Sequence, residues 1–393
     1  MDQKDIYRNI TLYKYFVLFN EPLFRGVIII ISLQQLAHMT LPGIYFMESA
    51  VMVLCLFFDI PAGALADLIG RKRTIVMGQV LLLGSSIGFA IMTSPLAAWT
   101  SNILWAIGIS FQSGADKALL QNTLNEGGMG ERYKDIEGRA TGSRFLLTAL
   151  CSLAVGPLAE IDLRIPLFLS IPGSFVSFIT SWFFKEPART GGYEIRKQLK
   201  TIKEGVVYSA RKPEIRWIIG FCALLMAAGK IWFFTYNPYF EKVGIDLKFY
   251  GLIFFLLNVV AWFSSRFVGR IERRLGEERC VLFMVLCTGV PILFMGFFPV
   301  WPAAYLVLTQ NLVRGFMTPF LGGFVNKHIR SEHIRATVLS VRSSSTNAVT
   351  IVALAWFGVM TGNSGLLESL IMLGTVVLIF GGFSFRSYKR MAQ

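Results

Sequence analysis

Apolar runs of about twenty residues recur along the whole chain, separated by short polar stretches rich in Lys and Arg. A bilayer core of ~30 Å needs about 20 apolar residues per helical crossing. Twelve such runs can be placed, near 12–34, 43–62, 74–94, 98–120, 141–160, 165–184, 214–237, 249–267, 280–298, 302–324, 338–360 and 366–385. Several are interrupted by Pro, Gly or an ionisable residue, which a membrane helix tolerates where its neighbours satisfy the backbone. The alternating ten-residue segments of a barrel are missing. The pattern predicts an all-α membrane protein of twelve transmembrane helices. The longest polar stretch, from Lys185 to Arg216, leaves six spans on either side. It predicts a six-helix bundle over 1–185, a cytoplasmic linker over 186–213 and a second bundle over 214–393. Within the linker an amphipathic surface helix is expected, with Ile202, Val206 and Val207 facing the membrane.

Composition agrees, with 54% hydrophobic residues, 16% charged residues and a mean hydropathy of +0.57. The cations set orientation, because cytoplasmic loops carry the excess of Lys and Arg. With both termini inside, and the edges of each span counted with the adjoining loop, all but six of the 38 fall in cytoplasmic segments. Arg164, Lys242 and Lys248 lie outside, and Arg25, Lys230 and Arg314 lie within spans. The net charge of +14 therefore reflects topology and attraction to anionic lipid heads. Its dispersal over many loops argues against nucleic acid. The polar first ten residues and a long first apolar run read as a span, without a cleavable leader. The expected location is the bacterial inner membrane, as a monomer. Cys55, Cys151, Cys222, Cys280 and Cys287 sit in or beside apolar runs and lack metal-ligand spacing. His38, His328 and His333 fall in loops, so neither a metal nor another cofactor is expected.

Two signals point to related halves. Gly63 and Gly70 flank Asp67 after span two, and Gly269 and Gly276 keep the same separation after span eight. Arg139-Ala140-Thr141 follows span four, as Arg335-Ala336-Thr337 follows span ten. Pseudo-symmetric halves of this kind bind substrate at the repeat interface.

The segment Asp59-Ile-Pro-Ala-Gly63-Ala-Leu-Ala-Asp67-Leu-Ile-Gly70-Arg71-Lys72 resembles the loop signature of the major facilitator superfamily, Gly-x-x-x-Asp-x-x-Gly-Arg-Lys/Arg. Ser113-Gly114-Ala115-Asp116-Lys117, Lys185-Glu186-Pro187 and Arg335-Ala336-Thr337-Val338-Leu339-Ser340 are similar to a bacterial drug- and metabolite-exporter subgroup of it. The resemblance implies the facilitator fold, secondary transport by alternating access, and no enzymatic activity. It also implies an inner gate built from Asp59, Gly63, Asp67, Gly70, Arg71 and Asp116. Asp67 is expected near the cytoplasmic start of span eleven, and Arg71 and Lys72 against acids and lipid phosphates. The antiporter pattern Gly-x-x-x-Gly-Pro-x-x-Gly-Gly survives in span five only as Gly156-Pro157, which leaves the direction of transport open.

An ionisable side chain at the membrane centre costs about 2.5–3.5 kcal/mol on insertion scales, so each such residue is a candidate site. Glu21 and Arg25 fall in span one, Gln112 in span four, Lys230 in span seven, and Gln310, Asn311 and Arg314 in span ten. The resemblance implies that these same four spans line the central cavity. Glu21 with Arg25, and Gln310 with Arg314, have the i,i+4 spacing of a shared helix face. One reading is a structural ion pair and a solvated wall; the other is a substrate site with a positive excess. The excess favours an organic anion such as a carboxylate metabolite or siderophore, gripped bidentately by Arg. The alternative is proton-driven efflux of cations or multiple drugs, with Glu21 and Asp59 dominant. Glu21 is the first choice for a proton-coupling carboxyl, since burial and a neighbouring cation act on it oppositely. Trp232 and Tyr236, four residues apart, have the spacing to stack a ring-bearing solute. Asn237-Pro238 is expected to break span seven. No Walker loop is present, so the chain is not expected to use ATP itself.

Overall fold

The computed structural model describes residues 1–187, 207–328 and 332–392. The linker residues Ile202 and Val206, and the side chains of Arg335, Ala336 and Thr337, lie outside the described set. Every regular element within it is helical.

The chain divides into two compact units. The first takes Met1–Met39, residues 50–187 and Leu247–Phe255; the second takes Thr40–Ser49 and most of the remainder. The first unit is built from α1 (Gln3–Phe19), α2 (Arg25–Gln35), α3 (Leu41–Ile69) from residue 50 onward, α4 (Arg71–Ile91), α5 (Pro95–Gln112), α6 (Ala115–Glu126), α7 (Tyr133–Ile161) and α8 (Arg164–Trp182). The second contains α9 (Pro213–Lys242), α10 (Tyr250–Phe297) from residue 256 onward, α11 (Val307–His328), α12 (Glu332–Ser364) and α13 (Leu366–Ala392).

Among the described residues eight helices are long and apolar enough to cross a membrane. One of them, Leu247–Phe297, is 51 residues long and holds two expected spans. They join at Gly276, whose φ of 78° and ψ of 159° no helix contains. Expected spans one and four are each split in two. Span one breaks between Phe19 and Arg25, at Asn20-Glu21-Pro22. Proline lacks an amide hydrogen and disfavours helix in the residue before it. Span four breaks at Ser113-Gly114, where Gly114 has φ +79°. Pro238, in contrast, lies inside α9, which runs on to Lys242; the break expected in span seven does not occur.

The burial pattern is that of a multi-pass membrane protein. Large apolar side chains such as Leu96, Phe168, Trp262, Val352 and Phe383 are exposed on the helices. Small polar ones such as Ser85, Ser101, Ser152, Ser177 and Ser181 are buried. Exposed apolar surface on this scale is costly in water and neutral in lipid, while hydroxyls between helices act as interhelical glue. Ser86 and Ser174 hydrogen-bond across α4 and α8 at 2.9 Å, and Ser177 donates to the Phe16 carbonyl. All five cysteines are free thiols.

Candidate functional site

In the first unit the interruptions of spans one and four meet at one side chain. Gln79 projects from α4 and is 1% exposed. Its amide nitrogen donates to Asn20 Oδ1 at 2.7 Å and to Gln112 Oε1 at 3.0 Å. Asn20 ends α1 at the first interruption, and Gln112 ends α5 at the second. The crossing that carries Gln79 is close, because a Cβ on the preceding Gly78 would lie 2.8 Å from the Gly108 carbonyl oxygen. Gln112, itself buried, also hydrogen-bonds Asp116 in the first turn of α6. Asp116 further accepts from the Lys117 amide at 2.7 Å.

Glu21 follows Asn20 in the interruption, so it shares no helix with Arg25 and the expected i,i+4 pair does not form. Its Oε1 instead meets Nη1 of Arg144 on α7 at 2.8 Å, with the carboxylate 48% exposed. Arg144 lies in the interior of α7. Arg25 opens α2, is 9% exposed, and lies over the Phe89 ring with 4.5 Å between Cζ and the ring centroid.

In the second unit Lys230 is half-buried on α9, its ammonium 4.8 Å from the Phe234 ring centroid. Arg314 is exposed on α11 and donates to Asn311 Oδ1 at 3.5 Å. Tyr236 lies within electrostatic range of it. Gln310 is buried and turned away from Arg314. It donates to the backbone carbonyls of Thr288 at 2.9 Å and Cys287 at 3.4 Å, tying α11 to α10. Gln310 and Arg314 keep their i,i+4 spacing on the unbroken α11, but the Gln310 amide is spent on α10. Glu48, a buried carboxyl in α3 at 9% exposure, was not singled out by the span pattern, because one acid in a long apolar run barely changes it.

The loop-signature residues divide in role. Gly70, with φ +103°, turns the chain from α3 into α4. The Glu186 carboxylate accepts from the backbone N–H groups of Arg71 at 2.8 Å and Lys72 at 2.7 Å, capping α4. The Arg71 side chain donates to the Ala118 carbonyl at 2.8 Å, rather than to an acid. Asn9 anchors the preceding residue, exchanging hydrogen bonds with the Lys185 backbone at 2.9 and 2.8 Å. Gly63 and Asp67 are half-buried on α3. Asp59 is exposed on the same helix, beside Ser110. The second unit repeats the device with different chemistry. After Gly276, Glu277 accepts from the Tyr388 hydroxyl at 2.8 Å, so α13 braces this turn as the segment following α8 braces the first.

Among the described residues no cluster of three or more His, Cys, Asp or Glu side chains is placed to hold a metal ion. The family model of the Major Facilitator Superfamily matches residues 16–354. No curated protein matches the sequence. Among solved structures, the nucleoside transporter NupG is similar at 13% identity and a TM-score of 0.75, covering 99% of this chain and 100% of its own. A D-xylose-proton symporter shares 12% identity with a TM-score of 0.74, covering 97% of each chain. A bacterial homolog of the human lysosomal transporter Spinster, in an inward-facing and unoccupied conformation, shares 13% identity with a TM-score of 0.73. It covers 98% of this chain and 96% of its own. At these identities the likeness establishes the fold.

Proposed function

The chain belongs to the major facilitator superfamily, and we propose that it is a secondary carrier of a small organic anion, coupled to protons. Alternating access moves the solute across the bacterial inner membrane, with both termini cytoplasmic. The observation that carries the anion reading is in the second unit. Among the described residues, Lys230 has an aromatic ring and Arg314 a neutral amide as close partner. Cations retained at membrane depth beside such partners suit an anionic guest. In the first unit Arg144 balances Glu21, so Glu21 does not offset the charge of Lys230 and Arg314. Arg25, Gln112 and Asn311 complete the proposed substrate set. Gln310 contributes by fixing α11 against α10.

Glu21 is the proposed proton carrier. Its carboxylate is accessible and paired with Arg144, the contact through which coupling would act. Asp59, Gly63, Asp67 and Asp116 are proposed for the inner gate, with Gly70 and Arg71 holding the turn that presents it.

The test is a thermal-shift screen of the purified full chain at two pH values. Citrate and benzoate represent anions, benzylamine and tetraphenylphosphonium cations, and adenosine and xylose neutral solutes. A ligand at 100 times its Kd adds about 2.7 kcal/mol of stability. Stabilisation by an acid that disappears in Arg314→Ala supports the reading; stabilisation by the cations alone refutes it.

A further inference from the structure

We infer that Asn20 is a substrate contact, and that Gln79 sets the orientation in which its amide meets the substrate. The first unit thereby offers hydrogen-bond donors and selects solutes rich in acceptor oxygens, carboxylates above all. This rests on the carrier reading above and extends it to two residues outside the substrate set.

A primary amide has two N–H donors on one side and an acceptor oxygen on the other. Gln79 commits both donors, one to the oxygen of Asn20 and one to that of Gln112. Each of those two amides must then turn its NH2 group away from Gln79. The Gln112 amide has Asp116 as partner. Asn20 is half-buried, next to the accessible Glu21, and its NH2 group has no hydrogen-bond partner among the described residues. The frame has little freedom. Gln79 is almost fully buried, and the Gly78–Gly108 crossing fixes its backbone. Reversing its amide would set oxygen against oxygen at both contacts, with a buried polar penalty of about 1–3 kcal/mol. The helix interruption at Asn20-Glu21-Pro22 thus presents a fixed donor beside an ion pair. A carboxylate or carbonyl oxygen satisfies that donor, and an ammonium group does not.

Three variants of the full chain test this, read by binding of benzoate, citrate, benzylamine, adenosine and xylose and by transport in proteoliposomes. Asn20→Asp keeps an oxygen for Gln79 and turns a second oxygen outward. Gln79→Glu accepts from both amides and so reverses them. Each is expected to raise the Kd for the preferred acid at least tenfold and to improve benzylamine binding. Gln79→Leu adds no charge and frees Asn20 to rotate; it is expected to raise KM severalfold and leave the maximal rate unchanged. If Gln79→Leu fails to fold, Asn20→Asp, which preserves the Gln79 bond, carries the test. Affinities within twofold of wild type in every folded variant overturn the inference. A wild type that prefers adenosine or xylose sinks the anion reading alone. The frame is then judged by the same variants on that solute, a joint tenfold loss upholding it and unchanged binding removing it.

Discussion

Glu21 Oε1 lies 2.8 Å from Nη1 of Arg144, joining the interruption of span one to the middle of α7. Glu21 is half-exposed while the Arg144 side chain is only 18% exposed, and solvent screening at the Glu21 end keeps the contribution of the pair to about 1 kcal/mol. Function and folding are therefore separable in its variants. Glu21→Gln is expected to abolish accumulation driven by a pH gradient while sparing solute exchange. Arg144→Gln, which leaves the acid without its partner, is expected to impair driven transport more than solute exchange. Uptake into proteoliposomes with and without an imposed gradient measures both. Undiminished proton drive in Glu21→Gln removes that residue from the coupling role.

Glu186 caps α4 through two backbone N–H groups, and Gly70 provides the turn that lets it approach. A carboxylate at a helix N-terminus satisfies donors and complements the helix dipole, so losing a cap costs about 0.5–2 kcal/mol. Glu186→Ala should lower the melting temperature accordingly. Gly70→Ala should cost more, about 1–3 kcal/mol from backbone strain alone. Its new methyl would also press on the Glu186 carboxyl at 3.1 Å. Thermal unfolding in detergent separates the two, and equal midpoints for Gly70→Ala and wild type would contradict the capping account.

Asp67 differs from its motif neighbours in that no hydrogen bond or ion pair ties it down among the described residues, whereas Arg71 donates to Ala118. The prediction is a split within one motif. Asp67→Asn should leave the melting temperature unchanged and loosen the closed inner gate, seen as altered transport and altered labelling of periplasmic cysteine probes. Arg71→Ala should lower stability. If Asp67→Asn leaves both transport and labelling unchanged, Asp67 has no gating role.

The spans were legible because twenty-residue apolar runs admit few alternatives, and the Gly63/Gly70 and Gly269/Gly276 spacing located two turns of matching backbone. Gly70 and Gly276 both adopt positive φ. What escaped was the partnership of side chains. The i,i+4 argument for Glu21 and Arg25 presumed an unbroken helix, although Pro22 between them carried the warning. Arg144 was hidden by the edge of its span, where a cation counts as a loop residue. Gln79 and Asn20 are uncharged, so they disturb a hydropathy profile too little to be noticed. Glu186 stood in a recognised tripeptide, but its role depends on a turn more than a hundred residues earlier.

Gly156 shows how a sequence motif can survive for packing rather than for the direction of transport. A Cβ there would overlap the carbonyl oxygen of Lys248, and one on Gly251 would overlap that of Ser152. The Ser152 hydroxyl donates to the Gly251 carbonyl at 3.4 Å, so α7 and the start of α10 meet backbone to backbone. Gly138 lies on the same helix with nothing within 4 Å of the place its Cβ would take. The two glycines thus form an internal control. Alanine gains up to about 1 kcal/mol over glycine in a helix interior, so Gly138→Ala should be neutral or stabilising. Gly156→Ala receives the same propensity gain but must force two backbones apart, and overpacking of this kind costs about 1–3 kcal/mol. Its melting temperature should fall below that of both wild type and Gly138→Ala. Equal melting of the two variants would mean that this crossing is looser than the contact implies, and Gly156 would need another reason to be glycine.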